Sequence, residues 1–317
     1  FLPNSRNGDV VVLYERNNGM DNVTNKMVFK GNIESITDNE LRIRLRAAQQ
    51  NPLVFPENSR YAVEHDTMDT TFRSMYLGLS SFMDANPERR ELLLGQRPPR
   101  FDMAYEDRIT RTTDDFERVA LKAEAACDYF LLVGPPGTGK TSRALRRMVE
   151  HFYACPSTQV LLLAYTNRAV DEICRSLSAI LPQVDYIRVG SELSCDARFR
   201  KHLLENVLAE CNNRREVNIR MADCRIYVGT VASIASKPEL FKLKHFDVAI
   251  VDEATQILEP QLLGILCARF KDGRNGIGKF ILIGDHKQLP AVVLQSNEQS
   301  EVHDEGLRRI GLYNLKD

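Results

Sequence analysis

Residues 130–148 read FLLVGPPGTGKTSRALRRM. An apolar run, a turn rich in glycine and proline, and an amphipathic run predict a strand, a tight loop and a helix in that order. Gly134 to Thr141 fit the pattern GxxxxGK[ST]. In such a loop the glycines let backbone N–H groups curl around an anion, and the helix that follows adds the positive end of its dipole. Gly134, Gly137, Thr138 and Gly139 therefore form a phosphate cradle. Lys140 is placed to reach the β- and γ-phosphates, and the Thr141 hydroxyl to hold Mg²⁺. A loop of this kind needs a mostly parallel sheet to stand on, which restricts the chain to the α/β class.

The remaining segments agree. From residue 128 onward, strand candidates at 129–133, 159–164, 185–189, 225–229, 246–251 and 279–283 alternate with helical stretches. Most are continuous apolar runs, suited to a sheet covered on both faces. Upstream, 9–14, 26–36 and 40–46 read as short strands of a small barrel, separated by Asn, Gly and Asp turns. In the last of these Leu41, Ile43 and Leu45 share one face, and Arg42, Arg44 and Arg46 the other. The arginine row is either a wall for phosphates or a solvated outer face, and charge rows are usually solvated. Residues 67–83 change to a helical period through Met68, Phe72, Met75, Leu79, Phe82 and Met83. A second helix follows, with Asn86 as its cap, Pro87 in its first turn and Gly95 as its stop. The segment 96–102, QRPPRFD, reads as a linker, and Thr113, Asp114 and Asp115 open a third helix that runs to about Cys127. The expected organisation is a small β-barrel over 1–65, a helical stalk and linker over 66–110, and a nucleotide-binding α/β domain over 111–317.

Two further stretches complete a chemical site. In FDVAIVDEATQ, Asp252 ends an apolar strand where its carboxylate can sit across from Thr141 and bind the metal's water shell. Glu253 follows, placed to orient and deprotonate an attacking water as general base. In FILIGDHKQLP, 280–290, a strand ends in Gly-Asp and Gln288 projects from the turn before Pro290. A neutral amide there can sense whether a γ-phosphate is present. Within these stretches His286 reads as a surface histidine. Gln256 is either a bridge to the sensor turn or a packing residue, and Cys174 and Cys267 are core.

Composition narrows the partners. With 43 acidic and 42 basic residues the net charge is −1, so a polyanion must bind in a local groove rather than across a basic face. The seven cysteines are scattered and form no CxxC pair, which argues against a disulfide framework or a zinc site and fits a reducing compartment inside the cell. That compartment is the cytoplasm of a bacterium or, in a eukaryote, also the nucleus. No apolar run is long enough to span a bilayer, so a membrane is not an expected partner. The first residue is Phe and the last segment lacks any closing feature, so the chain reads as a piece of a longer one.

Together GPPGTGKT, AYTNRAVDEI, YVGTVAS, VDEATQ and LIGDHKQLP stand in the order and spacing of superfamily 1 helicases. The chain resembles the group that includes the RNA-decay helicases and the DNA replication nuclease-helicases, the latter more closely, over about residues 129–290. The resemblance implies a RecA-like fold with an accessory barrel and stalk, and ATP with Mg²⁺ as cofactors. It implies that Gly137, Gly139, Lys140 and Thr141 bind ATP and Mg²⁺, and that Asp252 and Glu253 complete hydrolysis. Gln288 would couple the γ-phosphate to nucleic acid. Thr166, Asn167 and Thr230 would hydrogen-bond the backbone of a single strand, DNA favoured over RNA, with movement 5′ to 3′. Short hydroxyls and amides at strand ends can grip phosphates without reading sequence, and the plainer reading of the three is as turn and cap residues that satisfy local backbone.

Three departures stand out. Phe116 occupies the place where the group carries a glutamine that reads adenine. Thr255 stands where Ser or Cys is frequent. The second RecA-like domain, with its arginine contacts to the γ-phosphate, does not appear before Asp317, so this piece alone is expected to bind nucleotide weakly and hydrolyse it poorly. An RNA helicase of the same superfamily is the nearest alternative. A protein-remodelling AAA-type ATPase is another, although GDHKQLP and AYTNRAVDEI count against it. The sequence lacks the NKxD motif of a guanine-reading GTPase.

Overall fold

The computed structural model describes residues 7–37, 39–47, 51–66, 70–180, 183–285, 287–288, 296–309 and 311–314, excepting the side chains of residues 52 and 70–72. Met68, His286 and Pro290, and the side chain of Phe72, lie outside the described residues.

The N-terminal strands are β1 (Val10–Glu15), β2 (Val28–Ile36), β3 (Leu41–Leu45) and β4 (Tyr61–His65). They form an antiparallel sheet in the order β3-β2-β1-β4. These are the strands of the expected barrel, and among the described residues no pairing of β3 with β4 closes it. Strand β4 was not anticipated, because YAVEH offers neither a clean alternation nor an apolar run. In β3 the leucines and isoleucine are half-buried and the arginines exposed. Arg42 pairs with Glu40 at 2.6 Å, Arg44 with Glu34 at 2.5 Å, and Arg46 Nε donates to Asn32 Oδ1 at 3.0 Å. The row's charges are met within the sheet, which favours the solvated-face reading.

Helices α1 (Thr70–Met83) and α2 (Pro87–Leu93) follow, then α3 (Glu106–Arg111) and α4 (Asp115–Ala125). Asp114 is the cap of α4, its carboxylate accepting from Phe116 N–H at 2.9 Å. Asn86 precedes α2 without a side-chain cap, and its amide donates instead to Asn275 Oδ1 at 3.0 Å. Between α2 and α3 the proline-rich linker is fastened rather than loose. Arg97 and Arg100 both clasp the buried Asp128, at 2.9 and 2.8 Å, and their guanidinium groups hold its carboxyl far below the usual carboxylate range.

The larger sheet has six strands, β5 (Tyr129–Val133), β6 (Val160–Ala164), β7 (Tyr186–Val189), β8 (Ile226–Thr230), β9 (Phe246–Asp252) and β10 (Ile277–Gly284). Their order is β5-β10-β9-β6-β8-β7, with every pair parallel. Between them run α5 (Arg146–Ala154), α6 (Asn167–Ser178), α7 (Leu204–Ala209), α8 (Arg214–Asp223), α9 (Val231–Ala235), α10 (Glu239–Leu243) and α11 (Glu259–Leu266). Strands β6 and β8 are buried at every position, which explains their unbroken apolar sequences. One core packs Met148, Ile173, Leu162 and Ile250 on one face. The other packs Leu161, Ala249, Phe246 and Leu266. Cys174 and Cys267 are both buried, as expected of core cysteines.

Parallel strands place all their C-terminal ends on one edge, where ligands of open α/β sheets bind. The stalk holds this domain at more than one point. Helix α1 crosses α11 at Gly78 and Gly264, so closely that a Cβ on Gly78 would lie 1.9 Å from Pro260 O. Arg89 of α2, 3% exposed, donates to the carbonyls of Ile277 and Gly278 at 2.6 and 3.0 Å, at the start of β10. Helix α4 is tied to α5 by His151, which lies 3.1 Å from Glu117 and 3.2 Å from Glu124.

Candidate functional site

The loop between β5 and the next helix turns through Gly137 at φ 77° and Gly139 at φ 82°, a left-handed backbone that residues with a Cβ avoid. The first helical turn, Lys140–Leu145, is π-helical. The Gly139 carbonyl accepts from both Arg143 and Ala144 N–H at 2.9 Å. Single wide turns of this kind recur at functional sites. Thr138 Oγ1 donates to Pro135 O at 2.8 Å, and Lys140 Nζ donates to the Gly134 carbonyl. The lysine thus folds over the loop that it would serve.

Thr141 Oγ1 donates to Asp252 Oδ2 at 2.5 Å, joining the loop to the end of β9. Asp252 is 2% exposed, and burial pushes its carboxyl pKa up against the opposing pull of Thr141, Glu253 N–H and Lys140. A hydroxyl and a buried carboxylate in contact are a donor set for a hard divalent cation that also takes phosphate oxygens and water. Among the described residues no cluster of three or more His, Cys, Asp or Glu could hold a metal.

Glu253 adopts φ 53° and ψ 35°, and among the described residues it alone is left-handed without being glycine. Such a conformation costs about 1–3 kcal/mol and concentrates at active sites. Burial first, then the charge of Asp252, raises the pKa of its carboxyl. A carboxylate moved toward neutrality is a better base than one at its ordinary value.

Beyond β10, Asp285 organises the turn that carries Gln288. Its backbone carbonyl accepts from Gln288 N–H at 3.1 Å, while its carboxylate accepts from Lys287 N–H at 3.0 Å and from Gln288 Nε2 at 3.2 Å. The exposed Gln288 amide is therefore held by a residue that is itself 6% exposed. Thr255 packs against Gly284, where an added Cβ would meet its methyl at 2.8 Å, so the exits of β9 and β10 are locked together. Gln256 closes the turn after Glu253 with its backbone N–H, 3.0 Å from the Glu253 carbonyl. Sequence reading noted the Gly-Asp pair but gave Asp285 no task.

Thr166 caps α6, its hydroxyl accepting from Ala169 N–H at 3.1 Å, and Thr230 caps α9, accepting from Ser233 N–H at 3.0 Å. Both hydroxyls are committed to helix starts, although each retains further hydrogen-bonding capacity. Thr166 is exposed, Asn167 half-buried, and Thr230 buried. In the sheet Ala164 lies between Thr230 of β8 and Asp252 of β9. The strand-gripping candidates and the hydrolytic ones thus share one edge, on neighbouring strand ends.

A family model described as an AAA domain, AAA_11, matches residues 112–223 and 212–296, more than half of the chain. The chain belongs to the AAA_11 family. Curated relatives similar to this AAA_11 chain carry the names of helicases. DNA2 of Gallus gallus, named a DNA replication ATP-dependent helicase/nuclease, is 28% identical over 268 residues, covering 80% of this chain and 25% of that protein. DNA2 of Xenopus laevis is 37% identical over 179 residues, covering 52% and 15%. ECM32 of Saccharomyces cerevisiae, whose name assigns it to the ATP-dependent RNA helicases, is 28% identical over 242 residues, covering 64% and 21%. This AAA_11 chain spans about a quarter of the length of the curated relatives it matches. It is a P-loop ATPase domain of the superfamily 1 helicase type, with a six-stranded parallel sheet and an N-terminal four-stranded antiparallel one.

Proposed function

We propose that this chain is the first ATPase lobe of a motor that couples ATP hydrolysis to movement along single-stranded DNA, 5′ to 3′. The observation that carries the reading is the register of β8, β6 and β9, which sets Thr230 and Asp252 on either side of Ala164. A change at the phosphates then acts at the end of β9, beside β6, which leads to Thr166 and Asn167, and two strands from Thr230 of β8.

In this reading Gly134, Gly137, Thr138 and Gly139 cradle the triphosphate, and Lys140 leaves the Gly134 carbonyl to meet the β- and γ-oxygens. Thr141 and Asp252 hold Mg²⁺, which when bound neutralises charge on the phosphates. Glu253 orients water and takes its proton. Gln288, released from or kept on Asp285, reports the γ-phosphate. Thr166, Asn167 and Thr230 grip the strand through its phosphates. The accessory sheet over 1–65, the stalk over 66–110 and the ATPase domain over 111–317 make one lobe. The second RecA-like domain of the parent protein supplies the other wall of the ATP site. The parent works inside the cell, in the cytoplasm or nucleus. Among the described residues no helix is long and apolar enough to cross a membrane.

DNA is favoured over RNA because several relatives are named DNA replication helicase/nucleases. The relative named an RNA helicase supports RNA as the second reading. Backbone contacts do not separate the two, since only contacts to the 2′-hydroxyl do. Duplexes with single-stranded tails test the proposal in the parent protein. Displacement of the complementary strand from a 5′-tailed duplex and not from a 3′-tailed one is expected. Displacement from the 3′ tail alone would overturn the polarity.

A further inference from the structure

The first turn of α4 and the first turn after the phosphate loop meet in a flat surface. The Arg143 guanidinium carbon lies 4.3 Å from the centroid of the Phe116 ring. Arg143 also lies against the loop itself, since a Cβ on Gly139 would meet three of its side-chain carbons at 3.2–3.4 Å. Arg143 is exposed, Phe116 half-buried, and among the described residues the guanidinium makes no ion pair. A cation lying over an aromatic ring therefore flanks the cradle.

Three of the polar groups beside this surface already hold a partner. The Thr112 carbonyl accepts from Arg118 Nη2 at 2.7 Å. The Asp114 carboxylate accepts from Phe116 N–H at 2.9 Å, and Asp115 pairs with Arg118 at 2.8 Å. The surface itself offers a π-face and a delocalised cation, which attract any nucleobase because every base has a π-face.

We infer that Phe116 and Arg143 form a base-stacking platform that does not select among purines, so that the site takes GTP as well as ATP. The inference rests on the nucleotide reading above and concerns only the base. Loss of one base–aromatic stack costs roughly five- to 150-fold in affinity. Phe116→Ala is therefore expected to weaken ATP and GTP alike, by about tenfold. Phe116→Gln covers the case in which Ala unfolds the start of α4. A glutamine amide offers a donor and an acceptor that match adenine N7 and N6 but not the two acceptors of guanine.

The test is equilibrium binding of Mg·ATP, Mg·GTP and inorganic tripolyphosphate to the parent protein and its variants. Affinities for ATP and GTP within about threefold, both well above tripolyphosphate, are the expected result. A shift toward ATP in Phe116→Gln is expected with it. A wild-type preference for ATP above about tenfold, or an unchanged ATP:GTP ratio in Phe116→Gln, would overturn the inference while leaving the nucleotide site standing. Failure of all three ligands to bind would instead remove the nucleotide reading itself.

Discussion

Glu253→Gln is expected to lower ATP turnover by about 10²–10⁴-fold while leaving ATP affinity within about threefold of wild type. The magnitude is what a positioned general base contributes. Affinity survives because the contacts that hold the triphosphate belong to the loop, to Lys140 and to Thr141, on other elements. Glutamine keeps the size and hydrogen-bonding reach of the side chain but takes up no proton at neutral pH. It also keeps the left-handed backbone at φ 53°, so the turn into the following helix is not asked to rebuild. Steady-state hydrolysis by the parent protein, with nucleotide binding measured alongside, separates the roles. Equal losses of binding and turnover would show that Glu253 builds the pocket rather than acts in it.

Gly78→Ala is expected to destabilise the protein by about 3 kcal/mol, the upper end of the cost of overpacking a tight contact. The added methyl would stand 1.9 Å from Pro260 O and 3.2 Å from Gly264 N, and both neighbours are backbone atoms of α11. A flexible side chain could move aside, whereas a helix must shift as a body. The denaturant midpoint of the 317-residue chain is the measurement. Gly19→Ala is the control, because nothing lies within 4 Å of a Cβ there. A midpoint unmoved by Gly78→Ala would mean that the stalk does not dock on α11 through this crossing.

Much of the site was legible in the sequence because its parts are local. The loop residues 134–141 carry their own geometry, and Asp252 and Glu253 follow an apolar strand whose end can be seen in the letters. The strands of the larger sheet were readable for a related reason: strands buried on both faces, such as β6 and β8, need apolar residues at every position. What escaped depends on contacts distant in sequence. Strand β4 pairs with β1 some fifty residues away, and YAVEH alone does not announce a strand. Gly78 reads as a weak helix residue until Gly264 is seen against it. Asp285 gains its task from the turn it holds, and the left-handed backbone of Glu253 leaves no trace in composition. The nucleic-acid candidates Thr166 and Thr230 were found by pattern, and the helix caps that they form were the plainer reading of the same residues.

The claim that the phosphate loop drives movement along a strand is tested most directly by ATP hydrolysis in the parent protein, measured without nucleic acid, with single-stranded DNA and with single-stranded RNA. The account predicts a rate raised strongly by DNA and less by RNA, because the strand-holding groups sit at the ends of β6 and β8, the two strands next in order after the one that carries Asp252. A rate indifferent to both strands would contradict it.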